Sequence, residues 1–81
     1  MKNAIEIINN AIEKVKSLNL EKGRRIVRML NAHLEMLPKE IEAEDSAYYY
    51  KRTVENVKSV FLAGRSYISQ EQAEKIMNEI F

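Results

Sequence analysis

Apolar residues recur at intervals of three and four along almost the whole chain, the spacing that lines one face of an α-helix. Ala4, Ile8, Ala11, Ile12, Val15 and Leu18 form one such arc, with Ile5 and Ile7 at its edges. Asn3, Asn10 and Ser17 run down the opposite side, so a first helix is predicted over about 2–18. Asn19 and Leu20 mark a break, and a second helix is predicted over about 21–37. On it Ile26, Met29, Leu30, His33, Leu34 and Leu37 share a face, Arg24, Arg28 and Glu35 point away, and Arg25 lies at the border. Val27 and Met36 widen the apolar arc toward half the circumference. One neighbouring helix cannot cover that much, so this helix is expected either at the centre of a bundle or in a subunit interface.

Pro38 ends the second helix near Leu37, because it lacks an N–H and disfavours helical geometry in the residue before it. A third helix then begins between Lys39 and Ser46. At its earliest start it covers 39–63, about 25 residues and ~37 Å at 1.5 Å per residue, longer than either predecessor. Ala43, Ala47, Tyr50, Val54, Val57 and Phe61 make its expected inner face, and Gly64 is placed to cap it in the left-handed conformation. The mismatch in length leaves one end without a neighbour, a place for a second copy of the chain.

Ser69 followed by Gln72 is a capping box, with Ile68 and Ala73 as the accompanying hydrophobic staple. A fourth helix is therefore predicted over 70–80, presenting Ala73, Ile76, Met77, Ile80 and Phe81. With two Gly and one Pro in the chain, little else can turn. The pattern as a whole predicts an all-α fold: a compact bundle of four helices (about 2–18, 21–37, 39–63 and 70–80) in a single domain, 1–81, with the third helix longest and the short fourth packed back across it.

Composition narrows this picture. Eighty-one residues without a cysteine exclude disulfides and thiolate metal sites, so stability must come from helix packing or a partner chain. A hydrophobic fraction of 46% is too high for intrinsic disorder. No apolar run approaches the ~20 residues that span a bilayer, and Met1–Ile12 lacks the layout of a secretory signal, so no membrane association and a cytoplasmic location are expected. The bias toward Asn, Ile, Lys and Glu suits an AT-rich bacterial, archaeal or phage genome.

Charge changes the picture more. Lys14, Lys16, Lys22, Arg24, Arg25 and Arg28 are opposed by Glu21 alone, whereas Glu35, Glu40, Glu42, Glu44 and Asp45 are opposed by Lys39; the net charge of +1 conceals both patches. Such single-sign patches act on partner choice rather than on the fold. Next to the acidic run stand Tyr48, Tyr49 and Tyr50, which cannot share a helix face. If Tyr50 turns inward, Tyr48 faces solvent beside Arg52, in the manner of an interface anchor. Glu40, Glu44, Asp45, Tyr48, Tyr49 and Arg52 are therefore the candidate protein-binding residues. The alternative site is Lys22, Arg24, Arg25 and Arg28, where a helix N-terminus with added cations would take a phosphate backbone. A sequence pI of 8.0, below the value above 9 usual for such domains, ranks it second.

No catalytic or metal motif is found. His33 sits within an apolar arc without partners, there is no Glu-x-x-His pair, and Ser46, Ser59, Ser66 and Ser69 have no placed histidine. A helix-turn-helix with Gly64 at its turn would need an apolar residue where Gln70 stands. An enzyme gripping an anionic substrate with Arg24, Arg25 and Arg28 lacks an acid or base, and no cofactor or metal is expected. The sequence points to a non-catalytic regulatory, inhibitor or assembly protein, of the kind phages and mobile elements encode, acting on a protein partner and itself a homodimer. A nucleic-acid-binding accessory protein is the alternative.

Overall fold

A computed structural model describes residues 3–81. It contains α1 (Ala4–Ser17), α2 (Gly23–Glu35), a 3-10 turn (Ala43–Asp45), α3 (Ser46–Ala63) and α4 (Gln70–Ile80), and no strand among the described residues. The bundle of four helices expected from the periodicity is formed, with α3 longest and α4 short. It measures 38 × 21 × 19 Å, elongated rather than round.

Asn3 caps α1 by accepting the Glu6 N–H at 2.9 Å, and the expected start at Lys2 lies outside the described residues. The buried face is Ala4, Ile7, Ile8, Ala11, Ile12 and Val15. Ile7, expected at an edge, is fully buried. The reason is that α1 packs on α2, α3 and α4 together, so its buried arc is wider than a two-helix contact requires. Of the two places expected for α2, the centre of the bundle is not the one found, since it packs on α1 and α3 while α1 packs on all three others. After α1, Asn19 takes the left-handed conformation at φ 51°, which asparagine tolerates best after glycine.

α2 is shorter than the expected 21–37 at both ends. Glu21 and Lys22 form a turn closed by the Gly23 N–H to the Leu20 carbonyl, and at the other end Met36 and Leu37 close onto His33 and Leu34 as Pro38 approaches. Met36 thus lies past the last helical residue and is 80% exposed instead of widening the apolar arc. Ile26 and Leu30 are the fully buried side chains of α2. Each such side chain contributes about 1.5–3 kcal/mol by leaving water.

α3 starts at Ser46, the late end of the expected range, and not at Lys39, its early end. Glu40 and Glu44 would stand four apart in a helix beginning earlier, beside Glu42 and Asp45, and like charges at that spacing oppose helix. The chain instead bends at Lys39 and Glu40, is extended at Glu42, makes the 3-10 turn and enters α3, with the Ser46 hydroxyl donating to the Ala43 carbonyl. The inner face also begins late. Ala43 and Ala47 are exposed, Tyr50 and Val54 half-buried, and full burial begins at Thr53 and continues through Val57, Val60 and Phe61.

Gly64 ends α3 at φ −89°, outside the left-handed region expected of it. Its place is set by packing, because a Cβ there would come 3.0 Å from Cγ1 of Ile26, a fully buried side chain. The capping box of α4 is formed: the Gln72 N–H donates to the Ser69 hydroxyl at 3.1 Å, and the Ser69 N–H to Gln72 Oε1 at 3.4 Å. Ile68 and Ala73 are both buried in the core. α4 packs against α1 rather than back across α3, leaving α3 and α4 splayed.

Candidate functional site

Residues 36–52 contain no buried residue. Within them Glu40, Glu44 and Asp45 are exposed along the connection and the 3-10 turn, while Ile41 and Leu37 are half-buried and tie the segment down. The first turns of α3 then present the tyrosines. Tyr48 is 59% exposed, and its ring meets that of Tyr49 edge-on at 5.3 Å. Arg52, one turn on, lies over the Tyr48 ring with its guanidinium carbon 5.9 Å from the centroid. Tyr50 turns toward the core and packs against it.

An exposed Tyr48 held edge-on against the half-buried Tyr49, with a cation over its ring and exposed carboxylates nearby in the chain, offers three kinds of contact: apolar area, a charged donor, and acceptors. Holding Tyr48 in one place before a partner arrives lowers the entropy lost on binding. Met36, the first residue of this segment, was not among the sequence candidates. Its signal was present in the proximity of Pro38, which ends the helix before Met36 can be turned inward.

The basic cluster takes a different form from the one the sequence suggested. Lys22, Arg24, Arg25 and Arg28 are all exposed and line one shallow concavity together with Glu21 at the start of α2. Arg25, however, donates a hydrogen bond from Nη1 to the Tyr67 hydroxyl at 3.3 Å and lies over that ring at 5.3 Å from its centroid. Forty-two residues separate the two, and no pattern in the sequence marks them as neighbours.

The two charged clusters do not neutralise each other. Among the described residues the ion pair is Lys14 with Glu79, at 2.6 Å, joining α1 to α4. The Lys14 ammonium, hydrogen-bonded to the Glu79 carboxylate and attracted to it by charge, holds that carboxyl below its ordinary value of 4.5, with Lys75 adding a smaller pull. Lys14, the first member of the basic run, is thus absorbed by α4 rather than by the acidic segment.

His33 is half-buried on α2. Among the described residues no group of three or more His, Asp or Glu side chains is arranged to hold a metal ion, and no helix is long and apolar enough to cross a membrane. Compared with protein-family models, curated proteins and solved structures, the chain matches none.

Proposed function

We propose that this is a non-catalytic binding protein, a small regulator, inhibitor or assembly factor, that recognises a protein partner through Glu40, Glu44, Asp45, Tyr48, Tyr49 and Arg52. One observation carries the reading: no residue of 36–52 is fully buried, yet the segment holds Tyr48 edge-on against Tyr49 with Arg52 over its ring, beside four exposed carboxylates without an ion pair. Folding alone does not require tyrosines there. Interfaces favour Tyr and Arg at their centres, and the acids would steer a basic partner toward them.

The test is capture from a lysate of the source cells on the immobilised protein, comparing it with the triple variant Glu40→Lys, Glu44→Lys, Asp45→Lys and with Tyr48→Ala. Proteins retained by the unaltered chain should be lost from both variants, whose helicity should not change. Equal retention by all three sinks the assignment.

The basic concavity favours a second reading, nucleic-acid binding by Lys22, Arg24 and Arg28 with Arg25 steadied on Tyr67. It makes its own demand. Binding of a labelled duplex or single strand should weaken steeply as salt rises, and Arg24→Ala with Arg28→Ala should flatten that slope by about two charges. No binding at low salt removes this reading.

A further inference from the structure

The splay between α3 and α4 leaves an apolar groove. Phe61, Ile68, Ala73 and Met77 form its floor, and the concavity they line is continuous with a second that reaches Phe81, because Lys58, Glu74 and Met77 border both. Leu62 stands on the α3 wall, 67% exposed, and Phe81 at the far end of α4, 37% exposed. These are two of the four large hydrophobic side chains the described chain leaves in water; the others, Met36 and Tyr48, belong to the segment discussed above. The two helices run in opposite senses along the groove. Residues near the end of α3 share it with the start of α4, and Lys58, a turn earlier, shares it with the end of α4.

Lys58 on the α3 wall and Glu74 on the α4 wall both border both concavities, and they do not pair with each other. Glu74 accepts a hydrogen bond from Gln70 of its own helix at 3.0 Å. Lys58 makes no ion pair to any described acid. Of the three charged residues bordering the groove, Lys58, Arg65 and Glu74, the first and last are complementary under one particular symmetry. A two-fold axis along the groove lays α3 of each copy over α4 of the other, so that each Lys58 faces the other copy's Glu74 while Leu62, Met77 and Phe81 from both copies close over the apolar floor. A two-fold across the groove would instead stack Lys58 on Lys58.

We propose that this groove is a homodimer interface with its two-fold axis along the groove, formed by α3 and α4 of two copies as a four-helix layer. It is separate from the acidic, tyrosine-bearing surface, shares no residue with it, and stands or falls independently of it.

Sedimentation equilibrium across the micromolar range tests this on the full chain. The unaltered protein should be a dimer whose melting temperature rises with concentration. Leu62→Asp, at an exposed position, should give a monomer with unchanged helicity. Lys58→Glu should weaken association roughly tenfold or more, since it sets two pairs of like charges face to face. Combining it with Glu74→Lys should restore most of the loss. A strictly monomeric unaltered protein overturns the proposal, as does a dimer that Lys58→Glu leaves unmoved. Failure of the double exchange to restore association also overturns it. The charge exchange carries the test even if Leu62→Asp proves unable to fold.

Discussion

Thr53 is fully buried on the inner face of α3, and its hydroxyl has no hydrogen-bond partner. A threonine in a helix usually donates to the carbonyl a turn earlier, and one that does not loses its hydration for nothing. Valine has nearly the same shape and no hydroxyl. Thr53→Val is therefore expected to stabilise the protein by about 1 kcal/mol, a rise of roughly 4–8 °C in melting temperature for a chain of this size. Urea titration would reveal it, and a lower midpoint would mean that the hydroxyl is satisfied in solution. The same residue shows where sequence reading stops. Thr53 is polar, so an apolar pattern passes over it, although its place four before Val57 puts it on the inner face. Gly64 is the complementary case: its position at the end of α3 was evident, but the Ile26 side chain that leaves no room for a Cβ belongs to another helix and cannot be seen from local spacing.

The helices themselves were legible because each is amphipathic enough to declare its period, and the ends were legible where a side chain caps them. α4 begins where Ser69 and Gln72 say it does. α2 and α3 begin where nothing local says so, since neither start has a side-chain cap. The start of α2 is worse than uncapped: its first turn carries Arg24 and Arg25 and no acid, against the sign that the helix dipole prefers. Replacing Arg24 with glutamate reverses that interaction, and Arg24→Glu should stabilise the fold by about 0.5–1 kcal/mol at low salt. Chemical denaturation at low and high ionic strength checks this, the gain shrinking as salt screens it. The candidate sites divide along the same line: exposed residues near each other in sequence were found, while the Tyr67 ring under Arg25 and the groove between α3 and α4 exist only once the chain has folded.

In the molecule as a whole, α1 is the common support, and Lys14 with Glu79 is an electrostatic tie between it and α4. Because Glu79 is more acidic in the folded protein than in the unfolded chain, the pair favours folding above the ordinary carboxylate range. That contribution fades as pH falls through the lowered value. Both groups are substantially exposed, so the effect is small and salt-sensitive. Melting temperature followed from neutral pH into the acid range should fall for the unaltered chain slightly more than for Glu79→Gln. Parallel curves would show that the tie is not held in solution.

The lack of any fully buried residue in 36–52 has a consequence for how this protein can change. A substitution at Glu40, Tyr48 or Arg52 opens no cavity and strands no buried group, so it falls among changes that usually alter stability by less than about 0.5 kcal/mol. If this surface binds a partner as proposed, its specificity could be rewritten one residue at a time without passing through an unfolded intermediate sequence. On that proposal the core supplied by α1 and its neighbours would be a fixed handle, and the acidic, aromatic end an exchangeable bit.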